Sequence, residues 1–65
     1  MDKLPAREFL VASAAWKPKR LSEIQEELSF SKKELREVVN ILCDKGVLEV
    51  QDAPSGGNWL VERCG

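Results

Sequence analysis

The sequence predicts one α+β domain across its 65 residues: three helices followed by a two-stranded β-hairpin. Three observations carry this. Apolar residues recur at helical spacing up to Lys45, with turn signals at Pro18 and at Ser29-Phe30. After Gly46 the spacing falls to alternation. The stretch Asp52–Asn58, DAPSGGN, then breaks that alternation with turn formers. A domain this small buries only roughly 60% of the surface its unfolded chain exposes, so its core must be thin.

The first helix is expected over residues 5–16, after a short lead-in at Met1–Leu4. Pro5 suits a first turn, where its missing N–H costs nothing. The alanine-rich run to Trp16 favours helix. Phe9, Leu10, Ser13 and Trp16 share one side, and this spacing assigns Trp16 to the core or its edge. Ala6 and Ala12 to Ala15 allow close approach of other elements. Pro18 ends the helix by restricting the residue before it. Lys17, Lys19 and Arg20 then form the one basic cluster without an acid, read as a loop that is either solvated or in contact with phosphate.

The second helix is expected over residues 22–28, with Ser22 and Gln25 as a capping box and Ile24 and Leu28 facing inward. Glu23, Glu26 and Glu27 make its outer face acidic. A short turn leads to the third helix, residues 31–45, which has both ends marked. Ser31 and Glu34 form a capping box, and Phe30 and Leu35 form a staple. Leu35, Val38, Val39 and Leu42 make an apolar stripe. Lys45 and Gly46 supply the stop. Lys32, Lys33, Arg36, Glu37 and Asn40 fall on other faces, with Glu37 placed to pair with Lys33. Ile41 lies off the stripe.

The hairpin is expected over residues 47–63. Leu48 and Val50 share one face of its first strand, and Trp59 and Val61 favour strand in its second. A seven-residue loop, Asp52–Asn58, joins the two strands. An isolated hairpin is marginal in water, so this one must pack on the helices. Trp59 is either packed on the third helix or an exposed platform. Gly56-Gly57 reads as a flexible turn, because no Lys-Ser/Thr follows to make a phosphate loop.

Composition narrows the function. Ten basic and eleven acidic residues give a net charge of −1, below the basic excess usual in DNA-binding domains. The chain has two cysteines and no histidine. Neither a disulfide framework nor a structural zinc site is expected, so the metal and cofactor expectation is none. Cys43 is expected to be partly buried and Cys64 exposed. Reduced thiols suit a cytoplasmic protein. No membrane span and no secretory leader are expected. Without histidine, tyrosine or a nucleophile motif, no catalytic residues are assigned and the chain is read as a non-enzyme.

Helix, helix, capped helix and hairpin in this order resemble the winged-helix branch of the helix-turn-helix superfamily, from about Pro5 to Arg63. The stretch Leu21 to Val50, containing LSEIQEEL and DKGVLEV, is similar to the core of small bacterial and archaeal winged-helix regulators. The resemblance implies a three-helix bundle with a C-terminal wing, and a third helix placed in the DNA major groove. A narrower resemblance links Lys32-Lys33-Glu34-Leu35, Asp44-Lys45-Gly46 and Trp59 to the Z-alpha domains, which bind Z-form nucleic acid. It implies a phosphate contact for Lys32 and a ligand-side position for Trp59. Arg36 stands where that family has an asparagine, and Asn40 where it has its base-contacting tyrosine. Gly56, Gly57 and Asn58 replace its wing prolines.

The resulting expectation is a small DNA-binding transcription regulator. Lys32 and Lys33 would contact phosphate, Arg36 would read guanine and Asn40 adenine, with Lys19, Arg20 and Trp59 in support. Its weak charge favours a dimer, which raises affinity through effective concentration. The alternative is a protein-interaction module of the same fold, using Trp59 and Ile41.

Overall fold

The computed structural model describes residues 5–64, so the lead-in expected at Met1–Leu4 lies outside the described residues. Three helices and a three-stranded antiparallel sheet follow in the order α1 (Ala6–Ala14), β1 (Lys19–Arg20), α2 (Leu21–Leu28), α3 (Lys32–Asp44), β2 (Leu48–Asp52) and β3 (Leu60–Arg63). The α+β class agrees with the sequence reading. The two-stranded hairpin does not, because the sheet has a third strand and the order β1-β3-β2. Lys19 pairs with Val61 and Arg20 with Leu60. A two-residue strand carries no alternation, so nothing in its local pattern marks it as one.

The first helix packs through the small residues expected to allow close approach, and leaves out Trp16, which was expected at the core or its edge. Val11, Ala12, Ala14 and Ala15 are buried, whereas Phe9 is 61% and Trp16 66% exposed, and Leu10 is exposed too. Trp16 lies beyond the end of α1, outside the core to which spacing assigned it. Small side chains let α1 approach its neighbours closely, and aromatic rings on that face would hold it away. Glu8 is also buried on this side, and the Lys45 ammonium donates to its carboxylate at 2.8 Å.

Ends of the other helices are set by specific groups. In α2 the expected Ser22 capping box does not form, because the helix starts one residue earlier, at Leu21. Instead the Ser22 amide donates to the Asn58 side-chain oxygen at 2.9 Å, so the β2–β3 loop caps α2. The α2 helix ends at Ser29, which adopts φ +59.

In α3 the Ser31 hydroxyl accepts from the Glu34 amide, as expected, but the Glu34 carboxylate turns outward to Arg7 at 3.0 Å. Gly46 takes φ +77 after α3. Its amide donates to the Cys43 carbonyl and that of Val47 donates to Leu42, which closes the helix in a Schellman arrangement.

Leu35, Val38, Val39 and Leu42 of α3 fill the centre of the core, with Ile24 from α2 and Leu48 and Val61 from the sheet. Of Leu48 and Val50, expected to share one face, Leu48 is buried and Val50 is exposed. The pairing of β2 with β3 shifts register between Val50 and Asp52, which turns this part of β2 away from the core. Cys64 is partly buried where exposure was expected. Its amide donates to Val47, so β3 continues its attachment to β2 past Arg63. No helix among the described residues is long and apolar enough to cross a membrane.

Candidate functional site

The outer face of α3 follows directly from its stripe. With Leu35, Val38, Val39 and Leu42 turned inward, Lys32, Lys33 and Asn40 are exposed and Arg36 is half-buried. These four residues and Glu37 line one open, shallow groove. The structure therefore brings together four of the seven residues singled out from sequence.

Arg36 is held on two sides. Its guanidinium lies 4.5 Å from the centre of the Trp59 ring. On the loop side, a Cβ added at Gly57 would stand 3.2 Å from Arg36 Nη1. Gly57 also has φ +82, a conformation that a side chain disfavours. Trp59 is half-buried and packs against the core edge. It therefore answers the open sequence question as a packed residue that carries an arginine on one face. Stacking restricts the guanidinium without using its donors.

Lys19 and Arg20 are placed elsewhere. Lys19 donates to Glu27 at 2.9 Å with its side chain only 11% exposed. Arg20 donates to Asp52 at 2.9 Å and to the Asn58 carbonyl. Arg20 and Asp52 both pair with Leu60 from opposite edges of β3, so their ion pair spans the central strand. Of the cluster read as a loop either solvated or in contact with phosphate, Lys19 and Arg20 are thus engaged in holding α2, the sheet and the loop together, and Lys17 lies 5.1 Å from the centre of the Trp16 ring.

Ion pairs engage four of the nine cations among the described residues, and Lys17 and Arg63 are, like three on α3, outside them. Arg7, Lys19, Arg20 and Lys45 each meet a carboxylate. Lys32, Lys33 and Arg36 make no ion pair with any described residue, and the expected Lys33–Glu37 pair is absent. Glu34, the other acid near this face, is already neutralised by Arg7. Three cations against one unpaired carboxylate, Glu37, leave the α3 face positive in a chain of net charge −1.

Sequence reasoning missed a second feature beside this face. The N-terminal ends of α2 and α3 and the β2–β3 loop enclose a cavity of about 280 Å³. Lys32 and Arg36 lie on its wall as well as in the outer groove. Ser22, Gln25, Gly56, Gly57 and Asn58 complete the lining over Leu21 and Leu35. No acidic residue lines it. The only hint in the sequence was the glycine pair, whose partner across the fold could not be read from spacing.

Compared with protein-family descriptions, curated proteins and solved structures, the chain matches none.

Proposed function

We propose that this chain is a winged-helix nucleic-acid-binding domain, with α3 as the helix that enters the major groove and the β2–β3 hairpin as the wing. One observation carries the reading: Lys32, Lys33 and Arg36 gather on the exposed face of α3 with no carboxylate partner among the described residues, while Arg7, Lys19, Arg20 and Lys45 are engaged in ion pairs and the two other cations without one, Lys17 and Arg63, stand apart in sequence. Lys32 and Lys33 supply phosphate contacts, Arg36 reaches guanine from its seat on Trp59, and Asn40 reads adenine. Its role is that of a small transcription regulator acting as a dimer, because three cations per copy give weak attraction to a duplex. The test is charge reversal at Lys33, which is exposed and touches neither Trp59 nor the cavity. Lys33→Glu should weaken duplex binding by at least about tenfold, one lost phosphate contact plus a repulsion. Unchanged binding would remove α3 from the interface.

A second reading, a protein-interaction module, is favoured by the exposed apolar side of α1, formed by Phe9 and Leu10 with Trp16 beyond the helix end. Ile41 is also exposed, at 42%, whereas Trp59 is occupied by Arg36. Phe9→Ser with Trp16→Ser should abolish partner capture in that case and leave duplex binding intact.

A further inference from the structure

We propose that the cavity between α2, α3 and the β2–β3 loop binds one unpaired nucleotide, its phosphate on Lys32 and Arg36 and its base over Leu21 and Leu35. This deepens the nucleic-acid reading and rests on it, by naming the chemical unit taken beside the duplex-facing groove. The cavity lining sets the ligand class. Two cations and no carboxylate favour an anion. The leucine floor favours a flat apolar group, and Ser22, Gln25 and Asn58 offer donors and acceptors for the edge of a base. At about 280 Å³ the space lies at the small end of small-molecule sites, suited to one nucleotide and not to a folded strand. Arg36 arrives pre-positioned, stacked on Trp59 and covered by Gly57, so little side-chain freedom is lost on binding. A base inside a duplex cannot enter without leaving its stack, so the site selects free nucleotides or unpaired strand positions.

The experiment is an amide-resolved NMR titration of the whole chain with 5′-AMP and 5′-UMP, each against its nucleoside and against inorganic phosphate. The expected result is movement of the Ser22, Gln25 and Gly57 amides, with the nucleotide binding at least about tenfold tighter than nucleoside or phosphate alone. A short oligothymidylate binding more tightly still would identify a strand as the source, and equal or weaker binding would identify the free nucleotide. Gly56→Trp should abolish the nucleotide response. A Cβ there meets no atom within 4 Å and needs no positive φ, so the backbone accepts a side chain at this cavity-lining position. Gln25→Trp is the second filling variant. Absence of any amide movement overturns the proposal. So does inorganic phosphate matching the nucleotide, since that would mark an anion site with no base pocket. The duplex reading is scored separately: Lys33→Glu lowers blunt-duplex binding and spares the nucleotide, and Gly56→Trp does the reverse.

Discussion

Arg36 and Trp59 form a stacked pair across the fold, guanidinium over indole at 4.5 Å, with Gly57 so near that an added Cβ would stand 3.2 Å from Arg36 Nη1. This relationship ties α3 to the loop and hairpin through a side chain that keeps its hydrogen-bond donors free. Gly57→Ala tests how tightly the seat is built. The added methyl meets Arg36 Nη1 and must also accept φ +82. A loss of about 1–2 kcal/mol in denaturant unfolding is expected, with a shift in tryptophan emission as Arg36 is pushed off the ring. An unchanged emission spectrum would contradict the stacked arrangement.

Asn58 caps α2 by accepting from the Ser22 amide, 36 residues earlier in the chain. Asn58→Ala should cost about 0.5–2 kcal/mol, the usual loss for a removed N-cap acceptor. Ser22→Ala should cost much less, since its hydroxyl is not the cap. The opposite ranking in urea melts would restore the local capping box that the sequence suggested.

Glu8 lies on the buried face of α1, and Lys45 is its one ion-pair partner among the described residues. Lys45→Met removes that partner and leaves a carboxylate poorly solvated. Destabilisation by about 1–3 kcal/mol is expected from the midpoint of chemical unfolding. The double variant Glu8→Leu with Lys45→Met should recover much of it, because both polar ends are then gone.

Burial, and secondly the nearby Cys64 thiol, push the Cys43 thiol up from its ordinary value of 9.0. A raised folded value means that the unfolded chain releases this proton first. The stabilising contribution of the neutral thiol is therefore complete below pH 9.0 and is lost as pH rises from there through the folded value. At pH 8 the thiolate fraction in the folded protein is correspondingly small, so iodoacetamide should label Cys43 more slowly than in urea. Peptide mapping by mass spectrometry reads this, and equal rates would show an open, unburied thiol.

The parts of the fold that the sequence revealed are those encoded locally. Helix α3 was legible because its cap, stripe and glycine stop all lie within one segment and agree. Strand β1 and the cap on α2 were not legible, because each depends on a partner dozens of residues away, Val61 and Leu60 in one case and Asn58 in the other. For α1, two residue sets offered rival faces, and the small residues won because packing depth outweighed the size of Phe9 and Trp16. The site shows the same division. Lys32, Lys33, Arg36 and Asn40 were assigned to an outward face from periodicity alone. The capture of Lys19 and Arg20 by Glu27 and Asp52, and the cavity behind Arg36, are products of tertiary contact.

The central claim is that Lys32 and Lys33 of α3 contact phosphate. Anisotropy of a fluorescent, mixed-sequence duplex titrated with the chain at roughly 50 and 200 mM salt tests it most directly. Two phosphate contacts, from Lys32 and Lys33, predict that affinity falls roughly 12-fold per copy between those salts, and that Lys33→Glu lowers the slope by about one contact. Binding that ignores salt, or no binding at the lower salt, would contradict the claim and shift the function to the apolar side of α1.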